Sequence, residues 1–256
     1  MFLSLVSGSS GNATLVSDGN TKLLVDCGMS QKKLCAALSL IGISPEELDG
    51  LLITHEHSDH IKGAGVVSRK YGLPVFATAE THRCLDIGLD GENIKYLSPD
   101  VDFEVGTIGI RPFSIPHDAA NPVGFNFFCK GNKLSLATDI GAMNDYILEH
   151  LKGSLAVLLE ANHDVDTLKN GRYPAVLKRR ILSDTGHLSN IDAAKTAVFL
   201  ASSGTRHIML GHLSGENNTP RAAYTTVSNT LTENGFVTDK DVALSVASRY
   251  EVSCFR

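Results

Sequence analysis

No window of this chain approaches the roughly 18 consecutive apolar residues that a membrane-spanning helix needs, and Met1-Phe2-Leu3-Ser4 places no basic segment ahead of an apolar one. Neither a membrane span nor a secretory leader is expected, so the expected location is the cytoplasm. Cysteine is sparse: residues 27, 35, 84, 129 and 254 stand singly, without a CxxC pair. An odd, scattered set excludes a disulfide framework and reads as reduced, mostly buried thiols. Positive charge is also short, 23 Lys and Arg against 28 Asp and Glu, for a net charge of −5. That balance excludes coating of nucleic acid by bulk electrostatics and leaves only a local basic patch for such a contact. No linker or low-complexity stretch interrupts the 256 residues, and 43% apolar composition is ample for a buried core, so one domain over 1–256 is expected.

Short apolar runs separated by turn residues fill the first 26 positions: Phe2 to Val6, Ala13 to Val16 and Lys22 to Val25, with Asp18-Gly19-Asn20 between the last two. They predict a three-stranded meander closed by a tight hairpin. Residues 30–42 have helical periodicity ended by Gly42, residues 48–54 form a short buried strand, and 61–72 return to a helix. Strand 73–78, helix 80–88 and several strands to about 137 follow, then helix 143–152, strand 155–159, helix 190–203 and strand 206–210. Strands gathered in each half with helices after them imply sheets packed on each other with helices outside, an α+β sandwich.

Where the strand at 48–54 stops, the sequence reads His55-Glu56-His57-Ser58-Asp59-His60. Three imidazoles and a carboxylate in six residues suit divalent Zn, Mn or Fe, and a strand end is where rigid scaffold meets an open cleft. One loop cannot complete two coordination spheres. Further donors stand at other strand ends: His117 and Asp118 after the strand-like 108–113, Asp139 after 134–138, and His212 after 209–211.

Asp26, then HxHxDH, then His117, Asp139 and His212 resemble in order the metallo-β-lactamase superfamily. The resemblance covers nearly the whole chain and implies a four-layer αββα sandwich carrying two divalent metal ions. It implies that His55, His57 and His117 hold one metal, that Asp59, His60 and His212 hold the other, and that Asp139 bridges them. Asp26 would orient the His-rich loop from outside the ligand shell, as ligand histidines generally require. Two cations about 3.5–4 Å apart share a hydroxide and polarise the group it attacks. Such a centre hydrolyses β-lactams, thioesters, lactones or phosphodiesters, so fold alone leaves the substrate open.

Leu158-Leu159-Glu160-Ala161-Asn162 and Gly186-His187-Leu188-Ser189-Asn190 resemble the phosphodiesterase branch, in whose tRNA-processing members a Glu after a strand and a His-x-Thr opening a helix help protonate the leaving oxygen. Here Ser189 stands in place of the threonine. A departing alkoxide is strongly basic, and a positioned acid accelerates its loss by about 10²–10⁴. Ser189-Asn190 is also an ordinary helix cap, with His187 as simple packing. Together with Ser7-Gly8-Ser9-Ser10-Gly11-Asn12, the motif Thr54 to His60, Glu160 to Asp164 and Leu177 to Asp184, these segments are similar to the WalJ/YycJ group. That likeness implies exonucleolytic digestion of double-stranded DNA from 5′ ends, favoured by Mn²⁺, with Asp59, His187 and Glu160 in the chemistry.

Lys169, Arg172, Lys178, Arg179 and Arg180 crowd the stretch before His187, and phosphates contribute affinity through such charges. The alternative is a solvated helix face. The loop at 7–12 offers backbone N–H groups, with Ser9 and Ser10, to a phosphate, or is a plain turn. The short interval from Asp139 to His212 leaves no room for the inserted domain of RNA-processing and DNA-repair relatives, and there is no extended arm to grip tRNA. A small thioester, lactone or cyclic phosphodiester is the competing substrate class, and a binding protein without turnover is the competing role. Zn²⁺, Mn²⁺ and Fe²⁺ all suit the donors. Oligomeric state is not written in the sequence.

Overall fold

The computed structural model describes residues 1–89 and 91–255, and their contacts divide into two units that the chain enters repeatedly. Met1–Ser114, Ala119–Gly131 and Ser248–Cys254 make the first, and Ile115–Asp118 with Asn132–Ala247 make the body of the second.

In the first unit the strands are β1 (Phe2–Val6), β2 (Ala13–Ser17), β3 (Lys22–Val25), β4 (Gly50–Leu52), β5 (Val75–Thr78), β6 (Ile94–Leu97), β7 (Phe103–Val105), β8 (Ile108–Ser114) and β9 (Val123–Cys129). Four helices join them: α1 (Gln31–Leu40), α2 (Ser58–Ile61), α3 (Ala64–Tyr71) and α4 (Ala79–Cys84). The meander predicted for the first 26 residues is present, β1 antiparallel to β2 and β2 to β3. From β3 onward the pairing is parallel through β4 and β5 to β6, while β7, β8 and β9 form an antiparallel ladder. Leu5, Leu15, Leu24, Leu51 and Ile53 are fully buried beside Leu34 and Leu38 of α1. Those two lie at i and i+4 on one helix face, which is why α1 docks where it does.

The second unit runs β10 (Asn132–Ala137), α5 (Asp145–Leu151), β11 (Ala156–Glu160), α6 (Val165–Asn170), α7 (Ala175–Ile181), α8 (Asn190–Ser202), β12 (His207–Gly211), α9 (Pro220–Glu233) and β13 (Ala243–Val246). Its four strands are parallel in the order β10, β11, β12, β13. Val157, Leu159, Ile208 and Leu210 are buried as continuous apolar runs, the pattern of parallel strands covered on both faces. Helices α8 and α9 pack together. A last short strand, β14 (Ser253–Cys254), pairs with β1 in the first unit. Among the described residues no helix is long and apolar enough to cross a membrane.

Of the five cysteines only Cys27 is buried; Cys35 and Cys129 are partly covered and Cys84 and Cys254 exposed. The expected reduced thiols are free, but mostly not interior. Cys84 lies at the end of a short solvent-facing helix and Cys254 on a two-residue strand, neither with an apolar layer above it.

Candidate metal centre

Parallel register explains how the first unit gathers its own cluster of donors. Val25 pairs with Leu52, so the chain leaves β3 and β4 side by side, and the next residues, Asp26 and Thr54, meet. Asp26 accepts from the Thr54 backbone N–H through Oδ1 and from the Thr54 hydroxyl through Oδ2, both at 2.9 Å. Its Oδ2 also accepts from His60 Nδ1 at 2.8 Å. With its proton given to Asp26, Thr54 Oγ1 accepts from His55 Nδ1, 3.0 Å away. Both His55 and His60 are thereby held with Nδ1 protonated and the Nε2 lone pair left for a metal. The one-turn helix α2 starts just after His57, and His60 N–H donates to the His57 carbonyl at 2.9 Å. The turn stacks the ligands: ring centroids lie 4.6 Å apart for His55 and His57 and 4.2 Å for His55 and His60.

Backbone contacts lock this loop. Asn12 N–H donates to the Asp59 carbonyl at 2.8 Å and Cys27 N–H to the His60 carbonyl at 2.7 Å. A Cβ on Gly28 would stand 1.6 Å from the Asp59 oxygen, so only glycine admits this approach. The Asn12 side-chain amide lies 3.1 Å from His60 Nε2 and 3.4 Å from Asp59 Oδ2. It donates toward two atoms that the family resemblance gives to a metal.

The second unit uses the same device. In the parallel ladder Ala137 pairs with Leu159 and Leu159 with Leu210, so Asp139, Glu160 and His212 emerge at one edge. Glu160 has no exposed surface. Its Oε1 accepts from His187 Nδ1 at 2.9 Å and His212 Nδ1 at 2.8 Å, and its Oε2 accepts from the backbone N–H groups of Ile140 at 2.7 Å and Leu188 at 3.2 Å. Burial pushes this carboxyl up, but the facing His187 and His212 outweigh it and hold the pKa at about 2. Asp139 Oδ1 is 3.4 Å from His212 Nδ1 and 3.6 Å from His187 Nδ1. His117 donates through Nδ1 to the Gly186 carbonyl at 2.9 Å and has Nε2 3.7 Å from Asp139 Oδ1. Burial lowers its pKa, favouring the neutral ring that ligation requires. Asp139, Glu160, His187 and His212 each offer one donor atom within 4.8 Å of the others.

Three of these strand-end residues have left-handed backbones: Asp26 (φ 58°), Asp139 (φ 60°) and His212 (φ 55°). Non-glycine residues seldom adopt that region, and it clusters at functional sites.

Other predicted positions differ from expectation. Glu160, read as acting on the leaving group, has both oxygens given to N–H donors inside the protein, the His187 and His212 rings among them. The run at 178–180 does not present three cations. Lys178 Nζ donates to the carbonyls of Lys169 and Gly171, both at 2.7 Å, and Arg180 pairs through two nitrogens with Asp118. Arg179 remains exposed. Carbonyls at the end of α6 and a nearby carboxylate are closer partners than solvent for the other two. In the loop at 7–12, Ser9 and Ser10 are exposed, but the N–H groups of Gly8, Gly11 and Asn12 are already donated to Asn12 Oδ1, Gly8 O and Asp59 O. The loop serves as scaffold for Asp59 more than as a phosphate nest. His163, inside the Glu160 to Asp164 stretch, is buried. Asn12, Thr54 and Asn162, whose amide donates to the His212 carbonyl at 2.9 Å, were visible inside the quoted motifs, but nothing in their identity assigned them a role.

Residues 21–213 match the family model described as a beta-lactamase superfamily domain. Exodeoxyribonuclease YycJ of Bacillus anthracis is 42% identical over 238 residues, covering 92% of this chain and 90% of that protein. Exodeoxyribonuclease WalJ of Streptococcus pneumoniae is 42% identical over 241 residues, covering 90% and 87%. The crystal structure of YhfI from Bacillus subtilis, a metallo-β-lactamase fold protein, superposes with a TM-score of 0.71 over 99% of this chain and 100% of that one, at 16% identity. The α+β metallo-β-lactamase architecture expected from the sequence is the fold of this chain. It belongs to the β-lactamase superfamily, in the group that holds YycJ and WalJ.

Proposed function

We propose that the protein is a metal-dependent phosphodiesterase that digests double-stranded DNA from 5′ ends, with residues 1–256 acting as one hydrolase domain in the cytoplasm. The observation that carries the reading is the 2.9 Å hydrogen bond between His187 Nδ1 and Glu160 beside Asp139 and His212. A buried carboxylate holding an imidazole next to metal donors is an acid–base device suited to a basic leaving alkoxide. The relatives YycJ and WalJ, both exodeoxyribonucleases, support DNA as the substrate.

The donor chemistry fits two divalent cations, Zn²⁺ or Mn²⁺ with Fe²⁺ also suited. Imidazoles are fixed through Nδ1 and stand beside carboxylates in each unit. By the family resemblance His55, His57 and His117 would hold one ion and Asp59, His60 and His212 the other, with Asp139 as a further carboxylate ligand. Bound cations supply Lewis acidity and a nucleophile at neutral pH. Asp59, with its side chain 22% exposed, orients the attacking oxygen. His187 gives a proton to the leaving 3′ oxygen through Nε2, and Glu160 positions that ring through its bond to Nδ1. Arg179 is the cation of the 178–180 run assigned to the phosphate backbone.

The test is linear duplex DNA carrying 5′ phosphates, incubated with protein stripped by chelation and reloaded with Mn²⁺ or Zn²⁺. Nucleotide release by the wild type and its loss in Asp59→Ala is the expected result. Turnover of thioesters or lactones with inert DNA would overturn the reading.

A further inference from the structure

A hollow of about 310 Å³ opens in the first unit, and Lys33, Lys62, Arg249, Ser10, Ser30 and Tyr250 line it, with no histidine among its lining residues. Its lining includes no carboxylate. The three cations come from separate parts of the chain: the first turn of α1, the residue after α2, and the segment leading to β14. A chain with net charge −5 has gathered them around one concavity. Among the described residues neither Lys33 nor Lys62 pairs with an acid. Elsewhere Lys22, Lys152 and Lys195 are each neutralised by a carboxylate within 3.2 Å. The charge of Lys33 and Lys62, in a concave, hydroxyl-lined hollow, raises the local concentration of anions.

The back wall ties the hollow to the metal loop. It includes Gly11 and Gly28, and Gly28 is the residue whose Cβ would strike the Asp59 carbonyl at 1.6 Å. One layer of backbone separates the hollow from Asp59, and Lys62 follows His60 by two residues. At roughly 30 Å³ per water, the volume holds about ten waters, enough for a phosphate and part of its sugar. Tyr250 at the lip is 81% exposed, and an aromatic face there can stack on a base or sugar.

We infer that this hollow is a phosphate-group subsite, in which Lys33, Lys62 and Arg249 grip a phosphate of the strand being degraded. The inference rests on the nuclease reading and adds a second anchor beyond the metal ions. The phosphate is either the 5′-terminal monoester or a backbone diester, and both present the same anionic oxygens.

The test compares wild type with Lys33→Ala/Lys62→Ala, two exposed positions whose loss leaves the core intact, on duplexes ending in 5′ phosphate or 5′ hydroxyl. The KM for DNA should rise about tenfold and the dependence of log KM on log salt should fall by about one contact. Turnover of bis(p-nitrophenyl) phosphate, which needs no second anchor, should stay within about twofold. A rise confined to the 5′-phosphate duplex identifies the terminal phosphate, and an equal rise on both identifies the backbone. An unchanged KM and salt slope on DNA would overturn the inference while leaving the nuclease reading standing. Calorimetric binding of thymidine 5′-phosphate to chelator-treated protein separates the two claims. Binding by the wild type that the double variant loses supports the subsite even if DNA is not degraded, and binding equal in both proteins overturns it.

Discussion

His60 Nδ1 donates to Asp26 Oδ2 at 2.8 Å, with the imidazole wholly buried. The same carboxylate holds Thr54, which in turn receives His55 Nδ1, so one acid aims two rings. Replacing Asp26 with Asn removes the oxygen that accepts from His60 Nδ1 and from the Thr54 hydroxyl that orients His55, and should weaken metal affinity about 10–100-fold. Titration of chelated protein with Mn²⁺, followed by activity, should show recovery at high metal. A loss that no metal concentration restores would place Asp26 elsewhere in the mechanism.

Glu160 and His187 should separate metal binding from chemistry. His187→Ala should lower kcat on DNA by about 10²–10⁴ with metal content unchanged. Glu160→Gln should lower kcat as well, because an amide cannot offer both of its side-chain heavy atoms as acceptors to His187, His212 and the two backbone N–H groups that the carboxylate now holds. Equal metal content and unchanged kcat in His187→Ala would remove it from the reaction.

Gly28→Ala should destabilise the fold, since the added methyl meets the Asp59 carbonyl, where a 1.6 Å approach cannot be relieved by a side-chain rotation. At least about 2 kcal/mol is expected, a drop of about 4–8 °C in Tm for a chain of this size. Thermal unfolding of the metal-free variant measures it without interference from bound ions.

Asp18 ties two turns together: it accepts from the Thr107 hydroxyl at 2.6 Å and from the N–H groups of Asn20 and Thr21, both at 2.9 Å. The Thr107 bond is the largest of the effects that lower its pKa from 3.8 to about 2. A depressed carboxyl stabilises the folded state above its unfolded pKa and loses that contribution as pH falls through the folded value. Asp18→Asn should therefore cost stability at pH 7 and approach wild type near pH 2. A cost independent of pH would argue that the bonds act through geometry alone.

Thiol labelling offers a direct check of burial. Cys84 and Cys254 are exposed and should react quickly with a thiol reagent at pH 8. Burial pushes the Cys27 thiol up to about 12, and since the thiolate is the reactive form, it should label only on unfolding.

The elements that periodicity marks strongly were legible. The opening meander, α1, α8 and the strands ending in Asp26, Asp139 and His212 all fall within a few residues of their predicted places. Helix α9 was not anticipated, because Thr225, Thr226, Thr230 and Thr232 dilute its helical propensity. Its signal was the cap Thr219 before Pro220 and the buried stripe of Ala223, Val227 and Leu231. In the site, donors declare themselves by residue type, so the His-rich loop was readable at once. The partners of Lys178 and Arg180 were not, since a carbonyl at the end of α6 and Asp118 come near only through folding. Glu160 shows the same limit, as its position was visible but its four N–H donors were not.

The left-handed backbone at Asp26, Asp139 and His212 bears on heat resistance as well as function in this protein. Each position holds a conformation that costs a side-chain-bearing residue free energy, on the order of 1–3 kcal/mol, and glycine would adopt it without that cost. At Asp26 that relief is outweighed, since glycine would orphan the buried donors on Thr54 and His60 at about 1–3 kcal/mol each. The strain at that strand end is therefore held in place by the same hydrogen bonds that aim the histidines, and heat resistance and function pull there in one direction.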